Sequence, residues 1–379
     1  MSASFPGARL TIDLGAIARN WRTLAALDPS SECAAVVKAD AYGLGAAEVV
    51  PALRAAGART FFVAHLSEAR VVRAAAPDAV IYVLNGLPPG AADAFAALDA
   101  RPVLGSTEEV LEWAAFRAAT GAATEAALHL DTGMTRLGLT PDEARAVLSR
   151  PPFRPALVMS HLACADEPDR PETERQRALF AELSALAPDA PASLANSAGT
   201  LLGATSGGGL GFALRRPGVA LYGSNPIVGR PAPLSPVVTL EAHVVQVREA
   251  EGGTAVGYGG AERLTRRSRL AILSLGYADG VFRAAGSADG APGAVAAFNG
   301  AFCAYVGRIS MDLIAIDVTA LPDPPRRGEV VEILGPRVTV DDLARASGTI
   351  GYEVLTALGP RFARRHVGCG DGALFRSGI

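Results

Sequence analysis

Short apolar runs alternate with alanine-rich amphipathic stretches from about Gly7 to Gly229, and this alternation limits what the chain can fold into. The runs that are typical of strands are, in order, AAVVKA, TFFVAHL, AVIYVLNG, RPVLG, EAALHLDTG, ALVMSHLA, PASLANS and LRRPGVALYG. Helical stretches such as SEARVVRAAA and PDEARAVLSR lie between them. About eight strand–helix units in about 220 residues favour a (β/α)8 barrel over an open sheet. We therefore predict an α/β fold with a TIM-like barrel over residues 7–233.

The predicted strands end in polar or conformationally special residues. These residues are Lys38, His65, Asn85, Asp131, His161, Ser197 and Gly218. In a barrel of this kind the loops that follow the strands form the active face. We expect the side chains that carry the chemistry to meet there.

The pattern of the sequence changes after the proline cluster GRPAPLSP. Beyond it, β-rich runs such as VVTLEAHVVQVRE, RLAILSLGYADG and GEVVEILG are separated by glycine turns. One helix is predicted, TVDDLARASG, with Thr339 as its cap and two aspartates in its first turn. Residues 234–379 are thus predicted to form a mostly antiparallel β domain, with which residues 1–14 are expected to pack.

Composition and charge exclude several classes of function. The net charge is −3, only 19% of the residues are charged and no basic patch stands out, which argues against nucleic acid as a partner. Cys33, Cys164, Cys303 and Cys369 are widely spaced with no CxxC pair, which is typical of reduced thiols rather than disulfides or a metal site. No secretory leader or uninterrupted apolar span is evident, so we expect a cytoplasmic protein that acts on a small molecule.

Lys38 is the only lysine in the chain, against 34 arginines. It follows the apolar run CAAVV, so it is predicted to project from the end of a buried parallel strand. An amine in an apolar place loses some of its preference for charge and becomes a better nucleophile toward an aldehyde. A Schiff base with pyridoxal 5′-phosphate (PLP) requires such an amine. A codon bias toward arginine would explain why lysine is scarce, but not where the remaining lysine lies.

The sequence offers partners for the other parts of PLP. Barrels often bind phosphate in the loops after strands seven and eight, where Ser197 has a hydroxyl and Gly218 and Val219 have amides. Arg216 is the candidate for the pyridine nitrogen, since arginine can only donate and would keep that nitrogen unprotonated. An arginine before a proline is also typical of an ordinary surface charge.

Further candidates lie in glycine-framed segments. Arg136 in DTGMTRLG suits bidentate recognition of a substrate carboxylate, and His161 in VMSHLACADE could stack on a ring or relay charge. In the second half, AVGYGG holds Tyr258, LSLGYADG holds Tyr277 and GRISMD holds Met311. A tyrosine between glycines is normally a turn residue, and it carries protons only where nearby positive charge favours its phenolate.

These motifs together resemble the alanine racemases, a family of PLP enzymes with a barrel followed by a β domain. VVKADAYGLG resembles the PLP-lysine signature of the family, DTGMTRLG its arginine loop and SHLACADE its histidine strand. The segments ANSAGT, RRPGVALYG, VGYGG, LGYADG, VGRISMD and TIGYEVLTAL follow in the order of the family. The resemblance covers essentially the whole chain.

The resemblance implies a two-base racemisation of alanine. Lys38 would bind the cofactor covalently and act as the base on one face of Cα, and Tyr258 from the partner subunit of a head-to-tail homodimer would act on the other. The residues that it implies for cofactor binding are Lys38, Tyr42, His161, Ser197, Arg216, Gly218, Val219 and Tyr352. Those that it implies for the substrate carboxylate and for substrate size are Arg136, Met311 and Tyr277, the last together with Tyr352. No metal is implied.

The chain departs from the family pattern at two positions. His129 stands two residues before the aspartate of the arginine loop, where many members have a lysine, often carbamylated, that steadies the arginine. His129 cannot carry a carbamate, so it is expected to hydrogen-bond, to hold an anion or to leave Arg136 looser. Leu44 replaces a histidine common in the family, and little consequence is expected.

Three other functions stay open at this point. A decarboxylase of the same architecture would need acidic or cysteine residues arranged in the β domain for a long substrate. A non-catalytic PLP-binding protein would resemble the barrel alone. A racemase of broader specificity, for example for serine, differs only in pocket size. The sequence leaves open whether D-alanine is supplied for peptidoglycan or alanine is broken down.

Overall fold

The computed structural model describes residues 7–205 and 209–368. Its strands are β1 Ala8–Asp13, β2 Glu32–Cys33, β3 Ala35–Val36, β4 Thr60–Val63, β5 Val80–Val83, β6 Arg101–Leu104, β7 Ala127–His129, β8 Leu157–Met159, β9 Ala192–Ser193, β10 Leu214–Arg215, β11 Val238–Ala250, β12 Ala255–Val256, β13 Glu262–Arg263, β14 Ser268–Leu273, β15 Val295–Phe298, β16 Ala301–Ala304, β17 Ile314–Asp317, β18 Val330–Leu334 and β19 Ala363–Val367. Its helices are α1 Leu14–Ala26, α2 Lys38–Gly43, α3 Ala46–Ala56, α4 Leu66–Ala75, α5 Ala92–Leu98, α6 Thr107–Thr120, α7 Pro141–Ser149, α8 Glu172–Ser184, α9 Ser197–Thr205, α10 Val340–Ala346 and α11 Gly351–Ala357.

Two compact units divide the chain, and the larger one is the barrel. It comprises residues 17–221 and 225–234, apart from the three residues outside the description. Strands β3 to β9 form a parallel sheet in sequence order. The strands are short and buried on both faces, as in β4, where every residue from Thr60 to Val63 is buried. Continuous apolar runs of this kind are what a parallel sheet covered by helices requires.

Residues 213–217 close this sheet into a barrel. On one side, the amides of Ala213 and Arg216 donate to the carbonyls of Ala192 and Ala195, at 3.0 and 2.9 Å. On the other side, the amides of Glu32, Ala34 and Val36 donate to the carbonyls of residues 213, 215 and 217, at 2.9 to 3.0 Å. The predicted (β/α)8 barrel is thus confirmed.

The eighth strand is much shorter than the run LRRPGVALYG suggested. Only Leu214–Arg215 is a strand, and Val219–Tyr222 forms a turn of 3-10 helix. Pro217 explains the early end, because proline has no amide hydrogen to donate to a neighbouring strand. The strand therefore gives way to a tight turn at Gly218, within the predicted phosphate loop.

Arg215 ties the closing strand to the end of α1. The residue is only 1% exposed. Its Nη1 donates to the carbonyl of Leu24 at 2.7 Å, and its Nη2 donates to the carbonyls of Asp28 and Ser31 at 2.7 and 3.1 Å. The last carbonyls of a helix have no partner within the helix, so a buried cation there satisfies groups that burial would otherwise penalise.

The second unit contains the β-rich half and comprises, within the described chain, residues 7–16, 222–224 and 235–368. Its main sheet has the order β16-β15-β18-β11-β1-β19, with β14 and β17 attached through β11. Strand β1 pairs antiparallel with β11, where Leu10 lies opposite Leu240, and parallel with β19. The other pairings in this unit are antiparallel, so the prediction of a mostly antiparallel C-terminal domain is confirmed.

The predicted helix of this unit is present as α10, with Thr339 as its N-cap. The Thr339 hydroxyl accepts a hydrogen bond from the Asp342 amide at 3.1 Å and donates to the Asp342 carboxylate at 2.6 Å. The expectation of a single helix was wrong, because Gly351–Ala357 forms α11. Glycine at its first position and only seven residues in length hide it from propensity arguments.

Two findings bear on the expectations drawn from composition. Cys33, Cys164 and Cys303 form no disulfide, and Cys369 lies outside the described residues. Within residues 7–205 and 209–368, none of the helices combines the length and the apolar character needed to span a bilayer.

We predict that replacing Arg215 with methionine lowers the free energy of unfolding by about 2–4 kcal/mol, because buried carbonyls lose their donor. Urea unfolding followed by circular dichroism would measure the change. Arg175→Met is the matched control, since the Arg175 side chain is 74% exposed and its nearest carboxylate is 4.0 Å away. Equal stability of the two variants would contradict the role assigned to Arg215.

Candidate active site

Lys38 lies at the end of β3, at the mouth of the barrel. The amide of Val37 donates to the carbonyl of Phe62 at 2.9 Å, so the backbone is held by the sheet up to the residue before the lysine. The Lys38 side chain is half-buried. Burial and the positive charge of Arg136 lower the pKa of its amine, and the Glu68 carboxylate acts in the opposite direction. The amine is therefore more often uncharged than a surface lysine would be at the same pH.

The segment after Lys38 forms a left-handed helical turn. Residues 39–42 all have positive φ, from 52° to 57°. Left-handed conformations cost an L-residue about 1–2 kcal/mol each, so the surrounding structure must impose them. The Asp40 carboxylate accepts the Ala46 amide at 2.7 Å, and the Asp40 carbonyl accepts the Gly45 amide at 2.9 Å. Strained backbone of this kind is typical of functional sites.

Tyr42 and Gly218 meet closely on the barrel side of this turn. Tyr42 is only 5% exposed. A Cβ atom at position 218 would collide with the Tyr42 hydroxyl, so only glycine permits this approach. The predicted lysine loop and the predicted phosphate loop are thus brought together by direct contact.

Ser197 completes a group of donors that fits a phosphate. Its Oγ accepts hydrogen bonds from the amides of Gly218 and Ala220, at 2.8 and 3.3 Å. Since two amides occupy the oxygen, its own O–H proton remains available to donate. Ser197 also begins α9, and the exposed amides of a helix N-terminus favour an anion. The remaining O–H of Ser197 and the start of α9 therefore fit the phosphate of PLP, whereas the Gly218 amide, predicted to bind the phosphate, already donates to Ser197.

Arg216 is buried, with 4% of its surface exposed, and is not the surface charge that a proline neighbour can indicate. Its Nη1 donates to the Ser193 hydroxyl, and its Nη2 donates to the carbonyls of Ser160 and Leu194, at 2.5 and 3.3 Å. Burial lowers its pKa to about 9, which leaves it protonated at neutral pH. Within the described chain its Nε–H and the second N–H of Nη1 make no hydrogen bond, so donors remain for a ligand such as a pyridine nitrogen.

His129 and His161 are neutral histidines close to these cations. Burial and the charges of Arg216 and Arg136 lower the pKa of His129 to about 4. Burial and the same two arginines lower the pKa of His161 well below its usual range. At neutral pH both imidazoles can therefore accept hydrogen bonds without adding to the positive charge.

Arg136 is carried by a rigid loop but is itself exposed. One oxygen of Asp131 accepts the amides of Gly133, Met134 and Thr135, at 2.9, 3.0 and 3.1 Å. The guanidinium of Arg136 makes no hydrogen bond or ion pair in the part of the chain that the structure describes. An arginine on a fixed backbone with all its donors available suits an incoming carboxylate.

Gln176 joins the arginine loop to the histidine strand, and the sequence analysis missed it. Its Nε2 donates to the His161 carbonyl at 2.9 Å and to the Thr132 hydroxyl at 3.3 Å, and its Oε1 accepts the Ala163 amide at 2.8 Å. The Thr132 hydroxyl is in turn bonded to that of Ser160 at 2.7 Å. Gln176 is only 2% exposed, so the signal was a polar side chain at a buried position of α8.

The strand-end residues His65 and Asn85 have local roles. His65 is the N-cap residue of α4, and the amide of Asn85 donates to the Ala64 carbonyl at 3.1 Å. Neither is among the groups that affect the pKa of Lys38.

The remaining predicted site residues belong to the β unit. Tyr277 and Met311 lie together there, because the amides of Tyr277 and Ala278 donate to the carbonyls of Ser310 and Met311, at 3.1 and 3.0 Å. A Cβ atom at Gly276 would collide with both carbonyls, which explains the glycine before the tyrosine. The Tyr277 and Met311 side chains are both exposed.

Tyr258 lies between the short strands β12 and β13, in a frame of glycines with positive φ. Its side chain is 68% exposed, which is unusual for a tyrosine. Tyr352 is half-buried on the first turn of α11.

Comparison with known proteins gives one consistent result. Residues 12–226 match the family model described as alanine racemase, N-terminal domain, and residues 237–366 match alanine racemase, C-terminal domain. The chain is 51% identical over 372 residues to an alanine racemase of Methylobacterium nodulans, covering 97% of this chain and 98% of the relative.

Solved structures give the same result. The alanine racemase of Bartonella henselae with covalently bound pyridoxal phosphate has a TM-score of 0.88 at 38% identity, covering 95% of this chain and 99% of that one. The biosynthetic alanine racemase of Pseudomonas aeruginosa has a TM-score of 0.88 at 37% identity, covering 96% of this chain and 100% of that one.

We predict that His129 makes the fold sensitive to acid. Between pH 6.5 and 4 the unfolded chain binds a proton at this residue that the folded chain does not, so its contribution to stability is complete above pH 6.5 and is lost as the pH falls. The free energy of unfolding should fall by up to about 1.4 kcal/mol per pH unit for this group. His129→Gln should reduce the slope of the free energy of unfolding against pH between pH 7 and 5. The contribution of His161 to that slope should remain. An unchanged slope would contradict the assignment.

Proposed function

This chain belongs to the alanine racemase family of PLP-dependent isomerases, and we propose that it interconverts L-alanine and D-alanine by moving a proton between the two faces of Cα. In this proposal residues 7–233 are the PLP-binding barrel and residues 234–379 the β domain. The observation that carries it is the position of the only ε-amino group: Lys38 is half-buried at a strand end, with a lowered pKa, close to donors that fit an anion.

We propose that eight residues of this chain hold PLP. The holding residues would be Lys38, Tyr42, His161, Ser197, Arg216, Gly218, Val219 and Tyr352. Support comes from the unused O–H of Ser197, the approach of Tyr42 to Gly218 and the remaining Nε–H of Arg216. When bound, PLP withdraws electrons from an attached amino acid and makes its Cα proton acidic. A permanent donor such as Arg216 opposes protonation of the nitrogen it binds, which moderates that withdrawal.

Two bases on opposite faces of Cα would carry the proton. Lys38 would take or return it on one face, and its lowered pKa supplies the uncharged amine that a base requires. Tyr258 of the partner subunit would serve the other face. Two fixed bases invert a stereocentre without any group having to rotate.

Arg136 and the backbone of Met311 would bind the substrate carboxylate, and Tyr277 with Tyr352 would restrict the side chain to the size of a methyl group. Support comes from the fixed loop of Arg136 and from the hydrogen bonds that tie the Tyr277 turn to Met311. A histidine side chain carries no negative charge, so His129 does not compete with the substrate carboxylate for Arg136.

A homodimer with shared sites is part of the proposal. The large side chains of Tyr258, Met311 and Leu313 are exposed on the β unit, at 68%, 53% and 42%. Exposed aromatic and methionine side chains are typical of protein interfaces. A second copy of this chain would cover them and would bring its Tyr258 to the site.

We expect Lys38→Ala to lose covalently held cofactor and at least roughly a thousandfold in racemisation rate, since no other lysine can replace it. Incubation with a panel of L-amino acids, read by circular dichroism, would measure the rate and identify the substrate. Lys38→Arg is the matched control for folding, because it keeps the charge without the nucleophile. Full cofactor absorbance in Lys38→Ala would refute the assignment, and release of CO2 would identify a decarboxylase.

Mixing two inactive variants should restore activity if the sites are shared. Refolding equal amounts of Lys38→Ala and Tyr258→Ala chains together would make half of the dimers hybrids with one intact site each, which gives about one quarter of the native rate. Each variant refolded alone is the control. No gain on mixing would favour sites contained within one chain.

A further inference from the structure

Three glutamates of the barrel share one position and one bonding pattern. Glu68, Glu109 and Glu143 each lie three residues after the N-cap of the helix that follows a strand. One carboxylate oxygen accepts an amide from the loop at the start of the same helix. These amides are Ala64 at 2.7 Å for Glu68, Gly105 at 2.6 Å for Glu109 and Thr140 at 2.9 Å for Glu143.

The other oxygen of each carboxylate reaches the preceding strand–helix connection. Glu109 Oε1 accepts the Leu87 amide at 2.9 Å, and Glu143 Oε1 accepts the Thr107 hydroxyl at 3.4 Å. Glu68 Oε1 accepts the Ala39 amide at 2.7 Å. The three carboxylates therefore link successive loops of the active face, and the link made by Glu68 is to the peptide that follows Lys38.

We propose that Glu68 is the positioning residue of Lys38: its carboxylate fixes the peptide unit directly after the lysine, and its negative charge stabilises the protonated amine. This inference rests on the proposed function only because that function gives the Lys38 amine a use. The hydrogen bonds of Glu68 to the backbone do not depend on it.

The Ala39 amide lies in a strained part of the backbone. It is the first amide of the left-handed turn, in which residues 39–42 have unfavourable φ values. A carboxylate can accept it and still accept the amides of Ala64 and His65 on its second oxygen, the latter at 3.1 Å. A glutamine in its place has one oxygen and one NH2 group, so at least one amide would face another donor. Only a carboxylate satisfies both loops.

The charge of Glu68 also affects the reactivity of the lysine. The charged and titratable groups facing Lys38 are Glu68 on α4, Arg136 in the loop after β7 and His161 after β8. Burial and Arg136 lower the pKa of Lys38 and Glu68 raises it, while His161 is uncharged at neutral pH. Removing the Glu68 charge therefore leaves Arg136 unopposed and lowers the pKa of Lys38 further.

The single lysine makes a direct test possible. In the full chain freed of PLP, trace labelling with acetic anhydride at a series of pH values reports the ionisation of Lys38, read by mass spectrometry of the peptide that contains it. We expect Glu68→Gln to lower the apparent pKa of Lys38 by about half a unit or more. Glu109→Gln is the matched control, because it removes the same kind of link away from the lysine, and it should leave that pKa unchanged. Hydrogen exchange of the Ala39 amide should accelerate in Glu68→Gln and not in Glu109→Gln.

Glu68→Asp keeps the inference testable if the glutamine variant does not fold. It retains the charge on a shorter side chain, so Ala39 exchange should accelerate while the pKa of Lys38 stays closer to the native value than in a neutral variant. An unchanged pKa and unchanged exchange in Glu68→Gln, or equal changes in Glu109→Gln, would overturn the role of Glu68. A native protein that fails to racemise any amino acid would overturn the proposed function and leave these labelling results intact.

Discussion

The hydrogen bonds of residues 213–217 to both neighbouring strands are the constraint on which the barrel depends. Closure removes the two edges of the parallel sheet, and it brings the loop that follows the first strand next to the loop that follows the last. Tyr42 and Gly218 are far apart in sequence, yet their contact follows from this closure. The strand that closes the ring also carries Arg215, which faces the end of α1, and Arg216, which faces the site. One short segment thus serves the stability of the barrel and the chemistry of its mouth.

The basic groups of the site differ in their charge at neutral pH. Arg136 and Arg216 are the permanent cations of the site, whereas burial and these arginines keep His129 and His161 uncharged at neutral pH. Positive charge at the mouth of a barrel favours ligands with phosphate and carboxylate groups. Burial and the charge of Arg136 lower the pKa of the lysine amine, so a group that attracts an anionic ligand also prepares the base.

The sequence predicted the features that depend on local pattern. The alternation of runs such as TFFV with amphipathic helices predicts the barrel, and Thr339 with its aspartates predicts α10. The left-handed turn after Lys38 could not be predicted, because alanine, aspartate and tyrosine have no local preference for positive φ strong enough to impose it; the contacts with Gly218 and Ala46 do. Gln176 was missed for a related reason, because its three hydrogen-bond partners come together only on folding. Pro217 indicates an early end of the eighth strand, but the apolar run around it favours a longer strand.

The turn at residues 39–42 is close to the mirror image of an ordinary helical turn. Amino acids of the opposite hand would fit it with the least distortion, and ribosomal synthesis does not supply them. The chain is therefore limited here to residues that tolerate positive φ. Proline, whose ring fixes φ at about −65°, and residues branched at Cβ, such as valine or isoleucine, are the substitutions that it can least accept. This stretch should drift slowly in evolution on account of its handedness alone, even at positions whose side chains touch no ligand.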